Sequence, residues 1–199
     1  INLENKLRKQ PALKLEYVNF MTEYLELGHM KVASRPGKYY IPHHPVVKMN
    51  GDKLKIRVVF DASCVTNKGS LNDHLMVGNK LQLDIADILL DFRLYEVVFV
   101  TDIVKMFRQT MMIPNDCSYQ HIFWRFNDTD QIQEYELSTI TYGLASSPYL
   151  ALRVIKQLVD DEGSEYPLAS KALTDQIYVD DILTGSHTLE GALELQREL

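Results

Sequence analysis

The chain has 199 residues, of which 46% are apolar and 24% charged, with a formal net charge of −6. Those proportions suit one large domain or two small lobes with a substantial core, and they exclude a low-complexity or collagen-like chain. There is no run of eighteen apolar residues and no basic, then apolar leader, so the expectation is a cytoplasmic protein with no membrane partner and no secretory signal.

The charge is unevenly spread. Residues 1–60 carry a net +6 and residues 61–199 a net −12, which predicts a basic lobe beside an acidic one. A basic lobe is what a phosphate-rich partner requires. The only cysteines, Cys64 and Cys117, are far apart and lack neighbours at ligand spacing, so they read as reduced filler.

In chain order, Leu13, Tyr17, Phe20, Met21, Tyr24 and Leu25 recur at helical spacing between Pro11 and Leu27, with Gly28 as a stop. "YYIPHHPVVKMNGDKLKIRVVFDAS" reads as a hairpin around Asn50-Gly51, and in its return strand Lys55, Arg57 and Asp61 share the face opposite Ile56, Val58 and Phe60. His43-His44 would then face opposite ways, which favours a structural or surface role over a metal site. Asp84 is the expected cap of a short helix over "DIADILLDFR". "YEVVFVTD" reads as a strand buried on both faces and ending in Asp102.

A second strand pair, "SYQHIFWRF" and "IQEYELSTI", flanks the polar turn "NDTDQ". Alternation there makes Tyr119, Phe123 and Trp124 sheet-packing residues rather than base-stacking ones. Ser147-Pro148 predicts a helix start, with the helix running to about Asp160. "QIYVDDILTG" predicts two strands with Asp180 and Asp181 between them. Thr188 then opens a last helix with Leu189, Ala192, Leu193 and Leu199 facing inward.

Adjacent carboxylates in an apolar setting repel each other and resist desolvation, so they need compensation. At a hairpin bend the period-two rule lapses and both can lean toward one point. A divalent cation is the natural compensation, because Mg²⁺ prefers oxygen ligands and keeps part of its water. Asp102, at the end of the neighbouring buried strand, is the expected third carboxylate of a two-metal phosphoryl-transfer site. The pair Asp160-Asp161 sits at a helix end, where solvated charge needs no such explanation.

These residues carry a resemblance. "YVDD" within an apolar hairpin and "VFVTDIVKMFRQ" resemble the signatures of reverse transcriptases. "LELGHM", "YYIPHHPVVK", "RVVFDAS", "LNDHLMVG", "TYGLASSPYLA" and "YVDDILTG", in this order, look like the polymerase region of BEL/Pao-type LTR retrotransposon Pol polyproteins. The resemblance implies an α+β right-hand polymerase architecture, with an antiparallel palm sheet packed on helices. Residues 1–95 would be mainly fingers, including the N-terminal helix and basic hairpin, and 96–199 mainly palm, with the strand pair 119–138 returning to the fingers as an open alternative.

It further implies an RNA-directed DNA polymerase that adds dNTPs to a primer 3′-hydroxyl on an RNA or DNA template. Two Mg²⁺ ions, with Mn²⁺ as a substitute, would be held by Asp102, Asp180, Asp181 and the Ile103 carbonyl. Arg57, with Lys48 or Lys55, would meet the triphosphate; Phe107 would be the steric gate against a 2′-hydroxyl; Tyr142 would lie at the nucleotide, where many relatives have Gln. Gly143, Ser147, Pro148 and Tyr178 would adjoin the template-primer. The rest of a Pol polyprotein, thumb and ribonuclease H included, would be the partner, in the cytoplasm or in retroelement particles. The alternative is a catalytically silent, retroelement-derived nucleic-acid-binding domain.

Overall fold

A computed structural model describes residues 2–51 and 53–199. Its elements, in chain order, are α1 (Asn2–Lys9), α2 (Pro11–Glu26), β1 (Met30–Val32), β2 (His43–Asn50), β3 (Lys53–Phe60), α3 (Ile85–Phe92), β4 (Val97–Asp102), β5 (His121–Trp124), β6 (Gln133–Leu137), α4 (Ser147–Glu162), α5 (Pro167–Asp175), β7 (Ile177–Tyr178), β8 (Asp181–Ser186) and α6 (Leu189–Glu198). The fold is mixed α+β with small antiparallel sheets. The chain divides into two compact units, residues 1–76 with 107–147 and residues 77–106 with 148–199. Residues 77–95 thus lie in the second unit and the strand pair 119–138 in the first.

In the first unit, α2 begins with Pro at its first turn, where a missing N–H costs nothing. It buries Leu13, Tyr17, Met21 and Tyr24, whose three- and four-residue spacing lines one helix face. That face packs into a core with Val58, Phe60, Trp124 and Leu137. Each such side chain contributes about 1.5–3 kcal/mol of burial, so the α2 face is a principal anchor of this unit. Beside it β6 lies between β1 and β5, all antiparallel.

The β2–β3 hairpin pairs Asn50 with Lys53, so its turn falls one residue later than an Asn50-Gly51 turn; position 52 lies outside the described residues. Gly51 takes a φ of +59°, which suits a glycine. The Asp61 N–H donates to the Pro42 carbonyl, which makes His43–Phe60 a non-hydrogen-bonded pair and, two steps along, Pro45–Val58 another. Pro45 can thus sit within a strand because no ladder bond to β3 needs its missing N–H.

In the second unit β8 is the central strand of the order β4-β8-β7. Phe99 and Ile182 face helices α4, α5 and α6, with Leu152, Ala172 and Leu195 between them. Two expectations are corrected. Strand β4 is an edge strand, covered on one face only: Val98 is 44% and Val100 57% exposed. In α6 the inward residues are Ala192 and Leu195, while Leu189, Leu193 and Leu199 are exposed, because the helix packs on β8 and β4 along a narrower stripe than the leucines suggested.

The caps also differ. Thr188 does cap α6, accepting from the Gly191 N–H at 3.1 Å. Asp84 stands at the N-cap of α3 but pairs with Lys80 instead. The Ser147 hydroxyl donates to the Thr141 carbonyl rather than capping α4.

Candidate functional site

The second unit gathers the aspartates. Asp102, the last residue of β4, stands directly across from Asp181, the first of β8. The Ile103 N–H donates to the Asp180 carbonyl at 2.8 Å, which makes Asp102–Asp181 a non-hydrogen-bonded pair. In such pairs the Cα atoms approach to about 4.5 Å and the side chains share one sheet face. Both residues are exposed, and among the described residues no donor or cation pairs with either carboxylate.

Asp180 is not in the strand. It occupies the second position of the two-residue β7–β8 turn, after Val179, and is half-buried. Val179 has φ +58°, a left-handed backbone that a β-branched residue rarely adopts. Positive φ at the first central position only is the mark of a type II′ turn, which normally takes Gly there. The turn is held by Gln82, whose side-chain carbonyl accepts from the Val179 N–H at 2.9 Å. Beneath it, buried Gln176 donates to Asp91 and Tyr95, both at 2.7 Å, and accepts from Thr184. A strained bend fastened by Gln82, next to a Gln176 that is itself held by three side chains, places Asp180 and Asp181 reproducibly.

The donor set suits a hard cation, since it is all oxygen and free of competing cations. Among the described residues no group of three or more His, Cys, Asp or Glu is gathered at ligand spacing: Asp102 and Asp181 form the pair, with Asp180 on the adjoining turn. The Ile103 carbonyl accepts from the Met106 N–H, which leaves it one lone pair.

The first unit gathers the cations. In the β2–β3 register Lys48 stands opposite Lys55, and Arg57 lies one alternation further on the same face. All three are exposed. Arg57 lies over the Tyr142 ring, 5.6 Å from its centroid. The Tyr142 hydroxyl donates to the Val58 carbonyl at 2.6 Å, so it is already spent. Burial, the largest effect, pushes that phenol up to about 12, and it stays protonated at neutral pH.

Gly143 has φ +99°, and a Cβ there would meet the Phe60 carbonyl oxygen at 2.4 Å; only glycine fits. Asn72 ties the loop down, donating to Ser63 and the Gly143 carbonyl and accepting from the Ala145 N–H. Asn72, Gln82 and Gln176 went unremarked in the sequence, where a single amide carries no periodic signal. Phe107 lies in a short helical turn, Met106–Gln109, is half-buried and belongs to the first unit. Gly143 and Ser147 belong to the first unit, Pro148 and Tyr178 to the second.

His43 is structural: its ring pairs with the Tyr17 hydroxyl and the Phe123 carbonyl. Because a carbonyl only accepts, Nε2 carries the proton and Nδ1 accepts from Tyr17. Trp124 is buried, and Phe123 stacks on Tyr40 at 4.6 Å. A cavity of about 950 Å³ lined by residues 40–45 and 123–125 includes none of the proposed phosphate-binding side chains.

No family model matches the chain, and no curated protein matches it. Among the described residues no helix is long and apolar enough to cross a membrane.

Proposed function

We propose that the chain is the fingers and palm portion of a reverse transcriptase, an RNA-directed DNA polymerase of BEL/Pao type, acting on a primed RNA or DNA template with dNTPs. The observation that carries this reading is the cross-strand pair Asp102–Asp181 beside a strained two-residue turn bearing Asp180. Two carboxylates on one sheet face without a protein cation repel each other, and a structural role does not account for building strain beside them.

Asp102, Asp180 and Asp181, with the Ile103 carbonyl, would hold Mg²⁺, which when bound acidifies a hydroxyl and offsets phosphate charge. Arg57, with Lys48 and Lys55, would neutralise the triphosphate of the incoming nucleotide. The primer 3′-oxygen would bond to the α-phosphorus as the bond to the bridging oxygen breaks, releasing pyrophosphate and a proton. Phe107 would exclude a 2′-hydroxyl by occupying its space.

A second reading, nucleic-acid binding without catalysis, is favoured by the Lys48–Lys55–Arg57 face, which can hold phosphate with no metal. Incorporation of labelled dNTP on primed RNA and DNA templates, with Mg²⁺ and with chelator, separates the two. Mg²⁺-dependent extension that Asp102→Asn abolishes supports the polymerase. Template-primer binding with no extension, by this chain and by one lengthened at its C-terminus, supports the second reading.

A further inference from the structure

Arg57 and Tyr142 come from segments 85 residues apart, yet they form one unit of contact. The arginine is exposed on the basic hairpin face, and no carboxylate among the described residues pairs with it. A free arginine in that position samples many rotamers, and ordering it costs binding energy whenever an anion arrives. Tyr142 removes part of that cost by offering its ring face to the guanidinium group, whose N–H groups stay unpaired among the described residues.

The tyrosine is itself held from three directions. Its hydroxyl donates to the Val58 carbonyl, in the strand that carries Arg57. Its ring meets Phe60 at 5.5 Å, tilted by 58°. Its successor Gly143 is pressed on the Phe60 carbonyl and tied by Asn72. The ring is therefore fixed in place beside Arg57 before any ligand arrives.

We propose that Tyr142 is a positioning residue for an oligophosphate: it makes no contact with the ligand through its hydroxyl, and it pre-orients Arg57 so that the guanidinium edge faces the phosphates. The proposal rests on the polymerase reading only for naming that oligophosphate as the tail of a nucleoside triphosphate.

The test is a double-mutant cycle on the full chain, with inorganic tripolyphosphate as probe and calorimetric titration as readout. Arg57→Ala should weaken binding most. Tyr142→Leu should weaken it about 3-fold to 5-fold, the size of an exposed cation–π contact, and Tyr142→Phe, which keeps the ring, should recover most of that loss. In the Arg57→Ala background Tyr142→Leu should change nothing further. An equal effect of Tyr142→Leu with and without Arg57, or none with Arg57 present, overturns the positioning role alone. Failure of the unaltered chain to bind tripolyphosphate, or indifference to Arg57→Ala, overturns the oligophosphate site itself and Tyr142's role with it. Thermal unfolding of each variant identifies one that has lost its fold, and Tyr142→Phe, the mildest change, then decides.

Discussion

Lys48 and Lys55 face each other directly across the β2–β3 hairpin, with Arg57 on the same face and no carboxylate among the described residues to separate them. Like charges opposite each other destabilise a strand pair by roughly 0.2–1 kcal/mol. Replacing Lys55 by Thr should therefore raise the urea midpoint at low salt, by the equivalent of about 0.5 kcal/mol. The gain should vanish in 0.5 M salt, where the Debye length is only about 4–5 Å. An Lys55→Thr protein no more stable than its parent at low salt would show that the lysines splay apart.

The Asp102–Asp181 pair has the same logic with the opposite sign of charge. In chelator, Asp181→Asn should raise the melting temperature while abolishing nucleotide incorporation, because it removes one of two repelling carboxylates. Asp180→Asn should give a smaller gain, since Asp180 lies on the turn rather than in the cross-strand pair. Mg²⁺ should stabilise the parent and not Asp181→Asn. A lower melting temperature for Asp181→Asn in chelator would contradict the repulsion.

Val179 pays for its left-handed backbone, a conformation that costs a non-glycine residue roughly 1–2 kcal/mol. Val179→Gly relieves this, less the entropy that glycine adds to the unfolded chain, and should stabilise by about 1 kcal/mol in urea unfolding. Gln82→Ala should cost a comparable amount, by stranding the Val179 N–H. A destabilised Val179→Gly would mean that the valine side chain contributes packing which outweighs the strain.

Burial holds His43 below its ordinary value of 6.5, with the Phe123 carbonyl opposing that shift and His44 adding to it. The folded state therefore binds fewer protons than the unfolded chain. The contribution of His43 to stability is complete above about pH 6.5 and is lost as the pH falls through its lower folded value. The urea midpoint of the parent should drop from pH 7.5 to pH 5.5, and His43→Gln should flatten that slope. An equally steep slope in His43→Gln would assign the acid sensitivity to other groups.

The hairpins and the partnership of Asp102 with the second aspartate were legible because alternation, turn residues and apolar flanks are local signals. Strand β1 was not, since three residues carry no period and its order depends on β6, about a hundred positions away. Helix α5 lies in "YPLASKALTD", where a proline start was present but too few apolar positions repeat. The exposure of Val98 and Val100 escaped notice because an apolar run looks the same whether one face or two is covered. Nothing in "YVDD" announces the inverted φ of Val179, as β-branched residues signal extended strand.

The register of β8 also bears on how this chain can change over time. Point substitutions leave the register in place, but a one-residue slip of β8 against β4 would turn Asp181 to the helix side, and in one direction would bring Ile182 beside Asp102. A chain with such a slipped hairpin would keep the sheet and lose the acidic pair, so the length of this turn constrains the acidic face as firmly as the identity of its residues.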